Sequence, residues 1–134
     1  MKPFLGAEST IRVGVETIIE SDAAYNKHGV VFEDDGETAY FYARDYTRDE
    51  LFVDALHIYD VANISDKHLP SKIKILWTRD YKAAALLINQ RPHAVFDFEK
   101  RCGYTEDPFP DLPADSDWQH QAFHKELRHL FFDH

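Results

Sequence analysis

Residues 72–103, KIKILWTRDYKAAALLINQRPHAVFDFEKRCG, hold three apolar runs separated by two short polar breaks. In the outer two runs apolar side chains recur at every second position, which is the period of strands with one buried face. These side chains are Ile73, Ile75 and Trp77 in the first run and Ala94, Phe96 and Phe98 in the third. The middle run, 83–88, contains no polar residue and is short, which favours a strand covered on both faces over a helix. The stretch therefore predicts a three-stranded antiparallel meander.

Four further strands are predicted before the meander, at residues 11–19, 30–32, 38–44 and 51–61. Asp35 and Gly36 separate the second of these from the third. Asp-Gly between apolar runs is a hairpin signal, because glycine adopts positive φ without steric cost. Tyr40 and Tyr42 should project from one side of the third strand, since they are two residues apart. The fourth run is long and mostly apolar, and we expect it to form a buried central strand.

The chain changes character after Tyr104. Residues 105–117 combine three prolines with five acidic residues and no basic one, which is typical of a stiff surface loop. Ser116 followed by Gln119 is a capping box and predicts a helix that continues to residue 132. The apolar stripe of that helix would consist of Phe123, Leu127 and Leu130. We therefore expect one α+β domain, 1–134, in which the C-terminal helix packs on a mainly antiparallel β-sheet of about seven strands.

Composition excludes several classes of protein. The 134 residues fit one domain. No apolar run approaches the roughly 20 residues that cross a bilayer, and residues 1–10 lack the apolar core of a signal peptide, so we expect a cytoplasmic protein without membrane contact. A formal net charge of −9 opposes binding to phosphate backbones, so no nucleic-acid partner is expected. Cys102 is the single cysteine, which excludes an internal disulfide and a cysteine-built metal site.

A histidine pair is the strongest hint of metal chemistry. His120 and His124 are four residues apart, which would place both imidazoles on one face of the predicted helix, as in zinc-binding helices. Gln121 stands where such helices carry a glutamate, and no third ligand follows from the sequence. The alternative is a pair of partly buried histidines at the edge between helix and sheet. A small metal-binding hydrolase built on His120 and His124 is therefore the competing functional hypothesis.

His57 and Cys102 are two further candidates for a reactive role. His57 lies three residues from both Asp54 and Asp60, a spacing that does not favour a hydrogen-bonded His–Asp pair on one surface of a strand, so satisfied polar groups of the core or of an interface are the preferred interpretation. Cys102 would need a thiolate and an exposed position to act as a nucleophile, and no histidine is near it in sequence. We therefore assign no catalytic residue, cofactor or metal, and expect that the protein is not an enzyme.

Acidic side chains cluster beside aromatic ones in two places. One cluster is on the Asp-Gly hairpin and the strand that follows, and the other is on the proline-rich loop. Carboxylates steer a basic partner electrostatically, while aromatic side chains supply the anchors that hot spots use. The alternative is a purely solubilising surface. The predicted partner-binding residues are Glu33, Asp34, Asp35, Glu37, Tyr40, Tyr42, Glu106, Asp107, Phe109 and Asp111.

Three runs carry a resemblance to a known family: AYFYARD at 39–45, DALHIYDV at 54–61 and HAVFDFEKRCGY at 93–104, followed by a Pro-Phe-Pro loop. Over about residues 29 to 132 the chain resembles a family of small uncharacterised bacterial proteins. Some members of that family serve as immunity proteins of contact-dependent growth inhibition and related polymorphic-toxin systems.

The resemblance implies a protein that binds and neutralises the C-terminal domain of one cognate toxin. In related cases that domain is a ribonuclease of the EndoU type. The resemblance also implies a β-rich sheet with helices, similar to that of Whirly nucleic-acid-binding proteins but without their nucleic-acid motif. It supplies no catalytic residue. Our functional expectation is an immunity protein whose acidic surface occludes the basic cleft of a toxin nuclease.

Overall fold

The described part of the chain folds into ten strands arranged in two sheets. The computed structural model describes residues 3–24, 27–106, 112, 114–123, 127 and 131. Its strands are β1 (Phe4–Ile11), β2 (Thr17–Asp22), β3 (His28–Asp34), β4 (Thr38–Asp45), β5 (Phe52–Asp60), β6 (Ser71–Trp77), β7 (Ala83–Ile88), β8 (Arg91–Asp97), β9 (Cys102–Thr105) and β10 (Gln119–Ala122). The large sheet has the order β1-β6-β7-β8-β9-β10, and the small sheet has the order β2-β3-β4-β5. A 3-10 turn, Val61–Asn63, follows β5.

The predicted meander is confirmed as β6, β7 and β8, which pair antiparallel in the middle of the large sheet. All of β7 except Ile88 is buried, as expected for a strand without polar residues. The turn between β7 and β8 lies at Asn89 and Gln90, which both have positive φ. Arg91 and Pro92, the polar break that follows the middle run in the sequence, already belong to β8. Two residues with positive φ form the tight connection whose twist matches that of the flanking strands.

The predicted strand at 11–19 is wrong, because the chain changes sheets there. β1 ends at Ile11 and pairs with β6 in the large sheet, while β2 begins at Thr17 and pairs with β3 in the small one. Between them Gly14 has a φ of +91°, and the amide of Val15 donates to the carbonyl oxygen of Arg12. A glycine with positive φ permits this turn, so the alternating pattern belongs to two strands.

The core lies between the inner faces of the two sheets. Phe41 of the small sheet stacks on Phe96 of the large sheet with ring centroids 5.1 Å apart, and both side chains are fully buried. Trp77 crosses the same interface, where its indole N–H donates to the Ser21 hydroxyl at 2.8 Å. Buried aromatic rings therefore join the sheets, and the indole nitrogen keeps a hydrogen-bond partner as burial requires.

The predicted helix is wrong over its first turns. Ser116 caps a local turn, since its hydroxyl accepts from the amide of Trp118, and Trp118 is buried in the core. The amide of Gln119 then donates to the carbonyl of Arg101, and β10 continues parallel to β9. Leu130 lies outside the described residues. Leu127 and Phe131 are described, and both are buried against the outer face of the large sheet.

The described residues therefore form an all-β fold, and the expected α+β class is wrong. The sheet with helices implied by the likeness to Whirly proteins is wrong for the same reason. β5 also differs from its prediction, because it is an edge strand of the small sheet and Phe52 is exposed on it. Within the part of the chain that the structure describes, no helix is long and apolar enough to span a membrane.

Candidate protein-interaction surface

The outer face of the small sheet carries a row of four ring side chains, here called the aromatic row: Tyr40, Tyr42, Phe52 and His57. Tyr40 and Tyr42 stack with centroids 5.9 Å apart. Phe52 meets Tyr42 edge-on at 5.4 Å, and His57 meets Tyr40 edge-on at 5.5 Å. These are the offset and T-shaped geometries that aromatic pairs prefer. The row is a rigid, contiguous feature supplied by β4 and β5.

Acidic side chains border the aromatic row on the β3 side. The Tyr42 hydroxyl donates to Glu33 at 3.3 Å, and burial together with Glu33 raises the pKa of Tyr42 to about 12, so the phenol stays protonated. Glu37 is exposed at the start of β4. Asp35 is exposed as well and accepts from the amides of Glu37 and Thr38, which lowers the pKa of its carboxyl. The hairpin therefore keeps its negative charges in fixed positions at neutral pH.

A buried arginine orders the far end of this face. Arg44 is 8% exposed and forms ion pairs with Glu20 at 3.0 Å and Asp22 at 3.2 Å. Its guanidinium also lies 5.4 Å from the ring centroid of Tyr46, whose hydroxyl donates to Asp22 at 2.7 Å. Since two carboxylates surround one cation, this end of the face keeps a net negative character.

No strand among the described residues covers this outer face. Ile18 of β2 is 62% exposed and Phe52 is 52% exposed. Isolated apolar side chains on a surface are normal. Here, however, Phe52 belongs to the aromatic row, and Ile18 lies opposite Glu33 at its border. An apolar centre with a charged rim is the usual anatomy of a protein-protein interface.

Asp34 is the one predicted partner-binding residue in this hairpin that turns inward. It is 1% exposed, and its carboxylate accepts from the amides of Gly14 and Gly36 and from the Tyr59 hydroxyl at 2.6 Å. Burial and this hydrogen bond raise the pKa of Tyr59. Asp34 therefore holds two turns and β5 together, and its charge is not available to a partner.

The second acidic cluster is described only in part. Glu106 is exposed directly after β9 and lines a depression that also contains His57, the end of the aromatic row. Asp107, Phe109 and Asp111 lie outside the described residues. Asp117 is paired with Arg48 at 2.6 Å and with Arg101, and the hydrogen bond from Arg48 lowers the pKa of its carboxyl to about 2. This pairing joins residues adjoining β4 and β9 of the two sheets.

A His–Asp hydrogen bond does form on β5, although the spacing did not favour one. His57 Nε2 lies 2.9 Å from Asp60 Oδ1, because the register shift between His57 and Tyr59 inserts one extra residue and brings the two side chains to the same face. Asp54 also has a histidine partner, which is His120 of β10 at 2.6 Å. Both side chains of this second pair are at least nine-tenths buried.

The Asp54–His120 pair ties the two sheets together. Gly103, opposite His120 in β9, leaves the space: a Cβ atom there would lie 2.9 Å from Asp54 Oδ2. Oδ2 of Asp54 and Nδ1 of His120 are buried and form no hydrogen bond with any residue that the structure describes. Nε2 of His120 is hydrogen-bonded to the Asp54 carboxylate, and Nδ1 is enclosed by the protein. We therefore interpret the pair as a structural contact between the two sheets.

Little of the structure supports the competing metal-site hypothesis. His124 lies outside the described residues. Within the described ranges, no group of three or more His, Cys, Asp or Glu side chains is placed to hold a metal ion. Cys102 is buried, and that burial raises the pKa of its thiol, which opposes the thiolate that a nucleophile needs.

Sequence reasoning missed two members of the aromatic row, Phe52 and His57. The cross-strand register places Phe52 opposite Arg44 and His57 opposite Tyr40, with bulges on either side of the paired segment. The signal available in the sequence was the interruption of 51–61 by polar residues, which is more typical of an edge strand than of a central one.

The fold and this face define a class of protein: two packed β-sheets, with an aromatic row bordered by carboxylates on the outer face of the small sheet and no described strand over it. The chain belongs to the DUF2251 family, described as uncharacterized proteins conserved in bacteria, whose profile matches residues 11–132. It is 40% identical over 116 residues to an uncharacterized protein of Haemophilus influenzae, a match that spans 86% of this chain and 68% of that relative. No solved structure matches the chain.

Proposed function

We propose that this protein is an immunity protein that binds the C-terminal domain of a cognate toxin and occludes its active site. The partner would be a basic nuclease domain, with a ribonuclease of the EndoU type as the first candidate. The protein would act in the cytoplasm without catalysis and without a cofactor. The single observation that carries the proposal is the uncovered aromatic row with its acidic border.

Charge supports a basic partner. The chain carries a net −9, and the carboxylates of Glu33, Asp35 and Glu37 lie together at one side of the aromatic row. Opposed potentials raise the association rate between proteins by orders of magnitude at low salt. A nuclease cleft that binds phosphates is itself positive, so the acidic border would orient the face toward it.

Aromatic side chains supply the anchoring. Tyr40, Tyr42 and Phe52 are held against one another by ring contacts, so little side-chain entropy is lost when they are buried by a partner. Tyrosine and other aromatic residues dominate hot spots because they combine large area with few rotatable bonds. The proposed mechanism is therefore electrostatic steering followed by burial of the aromatic row.

The test is co-purification of this protein with the C-terminal domain of a large secreted effector encoded beside its gene, at moderate and at high salt. We expect a one-to-one complex and loss of the domain's nuclease activity. Absence of a complex with every neighbouring effector domain would overturn the proposal. Elemental analysis of the purified protein addresses the competing hypothesis, since a stoichiometric metal would favour the hydrolase.

Charge reversal locates the interface. Glu33→Lys with Glu37→Lys should slow association and reduce its dependence on salt, while leaving the fold intact. Glu99→Lys with Asp49→Lys is the matched control, because it makes the same change in net charge at two exposed positions outside the acidic border, and the ion pair of Glu99 with Lys82 is solvent-exposed. Equal association rates for the double variant and the control would place the interface on another surface.

A further inference from the structure

A cleft at the His57 end of the aromatic row opens between the end of β5, the loop after it and the β7–β8 hairpin. It consists of two adjoining cavities of about 590 and 740 Å³ that share Ile58, Arg91 and His93 as lining residues. All the lining residues belong to the described part of the chain. Small-molecule sites in proteins have volumes of about 300–1,000 Å³ and combine apolar walls with a few polar groups.

Arg91 is the unusual group in this cleft. Every other arginine in the described residues has a partner: Arg44, Arg48 and Arg101 pair with carboxylates, Arg12 donates to a carbonyl, and Arg79 lies over an aromatic ring. Arg91 has no hydrogen bond or ion pair to any described residue, although the chain has 24 acidic residues. It extends from the first position of β8, next to the tight turn at Asn89 and Gln90, which holds its backbone.

His93 lies beside Arg91 on the same strand and lines both cavities. Burial lowers its pKa; the nearby Glu106 opposes that shift and Arg91 adds to it. At neutral pH the imidazole is therefore uncharged and offers one N–H donor and one acceptor. Like Arg91, it makes no hydrogen bond to a described residue. A guanidinium and an N–H donor thus share one wall.

The larger cavity combines apolar side chains with polar ones such as Asn63 and Ser71. Its apolar walls are supplied by side chains of β5, β7 and the loop after β5: Ile58, Ile64, Leu69 and Ile88. Leu69 is among the exposed large apolar residues of the protein. Each cavity also contains one exposed carboxylate, Asp66 in the larger and Glu106 in the smaller, and neither forms an ion pair with Arg91.

We propose that this cleft binds a small organic acid with an apolar body, its carboxylate on Arg91 and His93 and its chain against Ile58, Ile64, Leu69 and Ile88. Arginine is suited to this task because its planar guanidinium donates two parallel hydrogen bonds to a carboxylate. The cleft would then be a ligand site that adjoins the aromatic row at His57, and its occupation does not depend on the proposed toxin partner.

Hexanoate is the first probe, with acetate and hexanol as matched compounds that carry the charge alone and the chain alone. We expect saturable binding of hexanoate by calorimetry, with a shift of the His93 ring signals in the NMR spectrum, and markedly weaker binding of the other two compounds. Failure of hexanoate to saturate the protein, or equal binding of hexanoate and acetate, would overturn the proposal.

Two variants test the two halves of the cleft. Arg91→Gln should weaken hexanoate binding by about tenfold or more, because a charge-assisted bidentate contact is lost. Lys100→Gln removes one exposed positive charge outside the cleft and should bind as the wild type does. Leu69→Ser should weaken hexanoate binding while leaving acetate unchanged. Unfolding midpoints check that all three variants fold, and wild-type affinity in Arg91→Gln would refute the assigned carboxylate site.

Discussion

The two sheets have different outer faces. The large sheet turns Ala85, Val95 and Tyr104 outward, and these residues are buried because Leu127 and Phe131 pack over them. The small sheet turns the aromatic row outward, and no described strand lies on it. Both faces carry apolar side chains, so composition does not separate them. The difference is that Leu127 and Phe131 pack over one face, whereas no strand of the described part of the chain lies on the other.

This comparison explains why residues of similar type have different roles. An aromatic side chain under Leu127 and Phe131 contributes to the free energy of folding through buried area. An aromatic side chain in the aromatic row keeps much of that area exposed, so it contributes less to folding and is available to contribute to binding. Substitutions on the two faces should therefore separate stability from function.

The largest effect is expected at the core that both sheets share. Phe96→Ala removes a fully buried ring that contacts Phe41, and it should lower the free energy of unfolding by about 3–5 kcal/mol. Urea denaturation followed by tryptophan fluorescence measures the loss. Near-native stability of this variant would mean that the two sheets do not depend on each other's inner faces.

The covered and open faces are compared directly by two further substitutions. Leu127→Ala should cost about 2–5 kcal/mol, because Leu127 is 3% exposed and seals the outer face of the large sheet. Phe52→Ala should cost less than about 1 kcal/mol, since half of the ring is already in solvent. Both losses of stability are measured by the same denaturation assay, together with the binding of a dye to exposed apolar surface. Equal losses of stability would show that the face containing Phe52 is also completed by the protein's own chain.

Removing the Asp54–His120 contact between the sheets should have an intermediate effect on stability. Asp54→Ala leaves His120 buried without its carboxylate and should cost about 1–3 kcal/mol. His120→Ala tests the same contact from the other side. In a double-mutant cycle the two losses should be clearly non-additive, because the residues share one hydrogen bond. Additive losses would mean that the contact contributes no coupling energy.

The smallest expected effect is a dependence of the free energy of unfolding on pH. Burial lowers the pKa of His28 and His93 in the folded protein, so the unfolded chain binds more protons at acidic pH. The stability they contribute is complete above the unfolded pKa of about 6.5 and is lost as the pH falls through the folded pKa values. Unfolding midpoints at pH 7.5 and 5.5 should therefore differ, and the difference should shrink in His28→Gln and His93→Gln. An unchanged difference in both variants would assign the pH effect to other groups.

Local patterns predicted a substantial part of this molecule. The three strands of the meander and the Asp-Gly hairpin at Gly36, whose φ is +98°, are where alternation and turn chemistry placed them. Tyr40 and Tyr42 share the outer side of β4, as their spacing required. These features depend on residues close together in sequence, for which period and turn preference are direct physical constraints.

The errors at the C-terminal segment and at Asp34 involve contacts between distant residues. Gln119–Ala122 form a strand because β9 offers a free edge and Trp118 is held in the core, and neither fact is visible in a capping box. In the sequence Asp34 belongs to an acidic run. In the fold its carboxylate is buried and accepts hydrogen bonds from the amides of Gly14 and Gly36 and from the Tyr59 hydroxyl. Competition between a local preference and tertiary contacts was decided by the tertiary contacts in each case.

The amino-acid sequence alone determined the alternating strands, the hairpin, the net negative charge and the family. The tertiary structure decided how the strands divide between two sheets, which outer face is covered, and that Phe52 and His57 join the two tyrosines. The physical reason is that a period of two residues separates the faces of a strand but does not say which face will be buried. Burial depends on what packs above each face, and that follows from contacts between residues far apart in the chain.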